Sequence, residues 1–221
     1  LNDSTAYLYL GHFDTPPDEF ETFVDTTFAQ LSEQNIKNLI IDIRDNPGGN
    51  TDTVTYLASY LANKPFRLVS SLQEKLNKDN RGWFGYKGDV GEITTQEWTD
   101  WENATSSPNR FDGKSFLLVG PISYSAAIVF ATTLQDNQFA TLIGETTGGF
   151  ANQSAQGNLF NLPNSQLRAY ITTRLLIRPN GNKARTHVVP EYIVETTSKN
   201  LANERDRAIE KALSLIENSP Q

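Results

Sequence analysis

Apolar residues recur along this chain at two spacings, and their alternation predicts strands joined by helical crossovers. Ala6 to Leu10 forms a short strand. Pro16-Pro17 then suits a helix start, because proline lacks the amide that a first turn leaves unpaired. Phe20, Phe23, Val24, Phe28 and Leu31 follow at helical spacing on one face, with Glu19, Asp25 and Glu33 elsewhere. Leu39-Ile40-Ile41-Asp42-Ile43 is nearly continuous and too short for a helix, which suits a strand covered on both faces. Val54, Leu57, Ala58 and Leu61 repeat the helical spacing up to Asn63 and Pro65. Further on, Ser115 to Val119 reads as a buried strand, Ser125 to Asp136 as a helix and Thr141 to Ile143 as a strand. Leu159 to Leu162 and Leu167 to Ile177 form a hairpin around Pro163-Asn164-Ser165, and Pro179-Asn180-Gly181 is a turn. Ile209, Ala212, Leu213 and Ile216 make an amphipathic closing helix.

Residues 66–113 break this regularity. Lys and Asn are common from Lys75 to Asn80, and three tryptophans stand among glycines. The expectation is a single domain over residues 1–221 with residues 66–113 as an insertion or lid. Trp83, Phe84, Tyr86, Trp98 and Trp101 can line a groove there, but rings of this kind more often pack a small satellite core. That packing is the leading expectation for each.

At 221 residues the chain can bury a substantial core. No apolar run reaches the roughly 20 residues of a membrane-spanning helix. A net charge of −7, with Lys and Arg scattered, argues against a nucleic-acid partner. Zero cysteines exclude disulfides, thiolate metal sites and thiol catalysis, and leave the redox compartment unreadable. The chain begins Leu1-Asn2-Asp3-Ser4 and contains no Met, so a start and any targeting segment are expected to lie elsewhere. No metal or cofactor is called for.

Two glycine-punctuated turns follow apolar strands: Asp42 to Gly49, and Ser123 to Ala127 with Gly144 to Gly149 beyond it. Turns of this kind place amides and side chains at the carboxyl edge of a parallel sheet, where ligands bind. Ser125 stands at a helix start, among unpaired amides and a positive helix end that favour a developing anion. Read locally, Ser125 is a helix cap, a role for which Ser123 competes, and the Pro-Gly-Gly turn is a plain connection.

Taken together, the segments Leu39–Leu61, Val119–Phe160 and Val188–Leu213 resemble the C-terminal processing peptidases, or tail-specific proteases, relatives of the tricorn-type serine peptidases. The matching motifs are Asp-x-Arg-x-Asn-x-Gly-Gly at Asp42 to Gly49, and Ser-x-Ser-Ala at Ser123 to Ala126 leading to Leu134-Gln135-Asp136. Gly-Glu followed by Thr and Gly, at Gly144 to Gly149, is a third. The resemblance implies an α/β fold, the spiral of ββα units with a parallel sheet core shared by the Clp protease and crotonase superfamily. It also implies Ser125 as nucleophile, with Gly48 or Gly49 and Ala126 as the oxyanion hole. The bacterial branch carries a lysine 25 positions after the serine, here Phe150, and the tricorn-like branch a histidine after the glycine pair, here Asn50.

Without a base, serine is a poor nucleophile near neutral pH, so another group has to take its proton. His12, after the first strand, emerges on the same sheet edge as Gly48 if the two strands are neighbours, and is the first candidate; the alternative is a surface turn histidine. His187 ranks second, since it precedes the Val188-Val189-Pro190-Glu191 stretch that stands where relatives have a Gly-Val-x-Pro-Asp turn. Glu145 can orient a base or a substrate amine. Asn152 and Gln153 can donate hydrogen bonds but cannot usefully accept the serine proton. Three functions stay open: a serine-type peptidase acting on peptide or protein substrates, a peptide-binding pseudopeptidase, and a crotonase-like enzyme acting on acyl-coenzyme A. Resemblance implies an extracytoplasmic location. A PDZ module, frequent in relatives, has no room in these residues, and the oligomeric state is not legible.

Overall fold

A computed structural model describes residues 4–218, so Leu1–Asp3 lie outside the described residues. The first strand, β1 (Thr5–Tyr9), leads through α1 (Pro17–Glu33) to β2 (Asn38–Asp42), which pairs with it in parallel, Ala6 opposite Leu39 and Leu8 opposite Ile41. After α2 (Thr51–Leu61) the chain makes an excursion through β3 (Ser71–Lys75) and β4 (Ile93–Glu97). It returns as β5 (Lys114–Val119), parallel to β2, and then forms α3 (Ala126–Asn137) and β6 (Thr141–Gly144). The long hairpin β7 (Gln153–Asn161) and β8 (Arg168–Ile177) follows, then β9 (Tyr192–Ile193), α4 (Ser198–Ala202) and α5 (Arg207–Glu217). The main sheet runs β1-β2-β5-β6-β9, every pair parallel.

Side chains alternate across a strand, so each central strand feeds two cores. Leu39, Ile41, Leu117, Val119 and Leu142 pack under α1, α2 and α3, while Ile40, Phe116, Leu118 and Ile143 meet Ala208 and Ala212 of α5. This two-sided burial explains the continuous apolar runs. The first nine residues of α3, Ala126 to Leu134, are all buried, which makes it the central helix of its layer.

The face predicted for α1 is one residue too wide: Phe20, Val24, Phe28 and Leu31 are buried, but Phe23 is exposed. Phe23 lies at the margin of the stripe, and its ring touches only the edge of the core through Phe20, at 6.0 Å.

The second sheet runs β4-β3-β8-β7 and is antiparallel. The 66–113 segment therefore supplies two of its strands and shares it with the hairpin, while Phe66 and Phe111 at the segment's ends are buried in the main core. Trp83, Phe84, Tyr86 and Trp101 are strongly exposed, with Phe84 at 100%, and Trp98 lies just on the exposed side at 37%. The satellite core expected for these rings is thus not formed. The loop between β3 and β4 projects from the sheet, and the only ring-to-ring contact among the five is Trp83 with Phe84. At its other end, β8 is fixed to α3 where the Arg178 guanidinium meets the buried Asp136 carboxylate at 2.6 Å.

An ionic clamp ties α5 to the carboxyl end of β2. Arg44 donates to Asp42 Oδ2 at 2.5 Å and to Asp206 Oδ2 at 2.7 Å, while Asp206 caps α5 by accepting the Ala208 and Ile209 amides. Burial pushes the Asp206 carboxyl up, but the Arg44 guanidinium and the two amides more than offset this and hold it below the usual carboxylate range. A carboxyl with a depressed folded-state pKa stabilises the fold above its unfolded value, about 3.9, and loses that contribution as pH falls through the folded value. Asp206→Asn is therefore expected to lower Tm at pH 7, with the difference from wild type shrinking below about pH 4. A deficit that persists undiminished at low pH would contradict this.

Candidate active site

Four loops meet at the carboxyl edge of the main sheet, one after each of β1, β2, β5 and β6. Asn46, fully buried, ties three of them together. Its Nδ2 donates to Leu10 O at 2.9 Å, its Oδ1 accepts the Gly48 amide at 2.8 Å, and its carbonyl accepts the Tyr124 amide at 3.1 Å. The buried Ser123 hydroxyl donates to Ile43 O at 2.8 Å and accepts the Gly120 amide, so it braces the turn and is not a helix cap. Thr147 does similar work after β6, donating to Gly149 O and accepting the Val188 amide. The motif displayed Asn46, but its bracing role was missed. An Asn two residues before a glycine in a turn is the available signal, since it can hydrogen-bond to the backbone two residues on.

Ser125 holds the position before α3, with φ 53° and ψ −122° and no capping hydrogen bond from its side chain. The local expectation of a cap is thus corrected. An L-residue in this region of backbone space costs about 1–3 kcal/mol and persists only where the surroundings impose it. Here they do: a Cβ on Gly48 would lie 2.7 Å from both Ser125 Cβ and Tyr124 O and 2.9 Å from Ala126 N, so the two turns interlock. The sharp turn between strand and helix leaves the serine exposed at the sheet edge.

Of the two glycines, Gly48 has its amide engaged by Asn46. Gly49, at φ 143°, is held against the first loop, where Phe13 N donates to Gly48 O and Asn50 N donates to Phe13 O, both at 2.8 Å. Among the described residues the amides of Gly49 and Ala126 have no protein acceptor. Asn50 is committed as the cap of α2, accepting the Asp52 amide.

His12 does emerge on this edge, one residue before Phe13, and it is exposed. Its Nδ1 accepts the Asp14 amide at 3.2 Å, which leaves the neutral ring's proton on Nε2. His187 has the opposite arrangement. Because a carbonyl can only accept, Nδ1–H donates to Gly149 O at 3.1 Å and the Nε2 lone pair is open. The His187 ring lies 4.7 Å from that of Phe150, and the two residues pair as an isolated bridge. Glu145 accepts the Thr196 amide and thereby fastens the segment after β9; it is hydrogen-bonded to neither histidine. No described side chain is hydrogen-bonded to Ser125.

Beside Tyr124 lies a cavity of about 420 Å³, lined also by Phe150, Leu175, Lys183 and Arg185. A larger cavity, about 700 Å³, sits at the opposite edge of the sheet, against Lys114, Ser115 and Thr141, away from this machinery.

The parallel sheet and its helical crossovers have the fold of the Clp and crotonase kind. Residues 4–194 match peptidase family S41, and the chain belongs to that family. It is similar to the carboxy-terminal-processing protease of Bartonella bacilliformis, with 26% identity over 168 residues, covering 76% of this chain and 33% of the relative. Among solved structures, a protein of Parabacteroides merdae has a TM-score of 0.76 at 22% identity, covering 100% of this chain and 65% of its own. Mature CPAF has 0.72 at 18% identity, covering 98% and 52%. The chain thus spans about a third of its curated relative.

Proposed function

We propose that the protein is a serine-type peptidase acting through an acyl-enzyme on Ser125. The observation that carries this reading is the strained Ser125 beside two amides, the serine side chain and both amides having no hydrogen-bond partner among the described residues. Ser125 Oγ attacks the scissile carbonyl carbon and gives up its proton, and the amides of Gly49 and Ala126 hold the oxygen as it becomes negative. The C–N bond then breaks, the amine leaves with the proton, and water hydrolyses the ester.

For the proton acceptor, hydrogen bonding favours His187 over His12. Acting through Nε2, His12 would first have to release the Asp14 amide, whereas His187 already carries its proton on Nδ1 and stands against Phe150, which occupies the lysine position of relatives. His187→Ala is expected to slow fluorophosphonate labelling of Ser125 at least about tenfold and remove its pH dependence, with a smaller effect in His12→Ala. The reverse order would assign the base to His12.

A second reading has its own support. Among the described residues no base is hydrogen-bonded to the Ser125 side chain, so the chain can instead bind peptides without cleaving them. Folded protein that binds peptide saturably but is never labelled would establish that reading in place of the first. In either case peptides or proteins are the partners, and the 66–113 arm joins the sheet of the cavity-lining β8 through its strand β3. The family likeness supports an extracytoplasmic location. Among the described residues no helix is long and apolar enough to cross a membrane.

A further inference from the structure

The cavity beside Tyr124 has a charge that the rest of the protein does not share. The chain carries a net −7, yet Lys183 and Arg185 are the charged residues in this lining, and no carboxylate faces them there. Among the described residues neither cation takes part in an ion pair. The Arg185 guanidinium lies 4.6 Å over the Phe150 ring, a contact that orients it without neutralising it.

The segment that presents them is firmly held. Asn152, buried, donates from Nδ2 to Asn182 O at 3.0 Å and to Ala184 O at 3.1 Å, bracketing Lys183, and its Oδ1 accepts the Arg178 amide. The Ala151 amide donates to Thr186 O at 2.8 Å, and Phe150 pairs with His187, so Arg185 is bracketed as well. The backbone that carries both cations is thereby held beside the apolar lining of Phe150 and Leu175, and Tyr124 brings that lining to within one residue of Ser125.

We propose that this cavity is a specificity site for a carboxylate carried by the peptide close to the bond presented to Ser125. The carboxylate is supplied by an acidic side chain or by the peptide's own C-terminus. The inference rests on the peptide-binding reading above and adds the chemistry of the ligand. Two cations without carboxylate partners, beside aliphatic and aromatic surface, match an anionic group on a short apolar stem. Lys183 supplies a point charge, and the planar guanidinium of Arg185 suits a carboxylate's two oxygens.

The test uses the Ser125→Ala protein, so that binding is read without turnover, and fluorescent peptides of one sequence in four forms. These combine Glu or Gln at one position close to the bond presented to Ser125 with a free or an amidated C-terminus. The expected result is that one carboxylate-bearing form binds about fivefold more tightly than its neutral counterpart, with the preference weakening as salt rises. Lys183→Met and Arg185→Met should each reduce the preference, and Lys183→Arg should retain most of it. Which form wins identifies the source of the carboxylate. Peptides bound with no charge preference, or a preference untouched by either Met variant in protein shown to be folded, would overturn the proposal. Loss of Ser125 labelling in Lys183→Met with the serine intact would also overturn it, by placing Lys183 among the proton-transfer groups. Peptide binding and labelling that both fail in the unmutated protein would instead count against the underlying reading.

Discussion

Ser125→Ala is expected to lower peptide turnover at least about a thousandfold and to abolish fluorophosphonate labelling, because loss of a nucleophile removes the covalent route altogether. Stability provides an independent readout. Alanine keeps the Cβ and so keeps the strain at φ 53°, and its Tm should stay near wild type. Glycine relieves it, and Ser125→Gly should melt higher by about 3 °C, corresponding to about 1 kcal/mol after the entropy that glycine itself costs. An inactive but more stable Ser125→Gly protein would show strain retained for chemistry. Turnover that survives in Ser125→Ala would remove this residue from the mechanism.

The other large effect is expected at Gly48. Its φ of 108° is poorly suited to any L-residue, and a methyl group there would come within 2.7 Å of Tyr124 O and Ser125 Cβ. These neighbours are backbone and a constrained side chain, so the clash has to be relieved by parting the two turns. Gly48→Ala should cost at least about 2 kcal/mol of stability. It should also lower kcat/KM about a hundredfold, since a displacement on the order of 1 Å is enough to misplace a nucleophile. Calorimetry alongside peptide kinetics separates the two consequences, and a variant with near wild-type kcat/KM would contradict the interlocked geometry.

The central strands of the main sheet were legible because they are buried on both faces. Leu39–Ile43 and Ser115–Val119 announce themselves as continuous apolar runs, and α1 and α2 as helical stripes. The serine turn and the glycine pair were legible as motifs. What escaped was decided by partners distant in sequence. The antiparallel pairing of β3 with β8 joins residues about a hundred positions apart, and weak periodicity in 66–113 gave no hint of it. The loop aromatics depart from expectation for a related reason: a ring's burial depends on what lies opposite, and Trp83 and Phe84 meet each other and solvent rather than a core. The engagement of the Gly48 amide and the contrasting tautomers of the two histidines are properties of single hydrogen bonds, which no residue pattern encodes.

Helix α5 begins at Arg207, beyond residue 194, where the match to the family ends, yet Ala208 and Ala212 close the second face of the main sheet. A fragment cut to the limits of the family match would expose Ile40, Phe116, Leu118 and Ile143 to water and strip Arg44 of Asp206. For anyone choosing where to end a recombinant fragment, the similarity boundary is the wrong place, and a stop codon after α5 is the shortest that keeps the sheet dry.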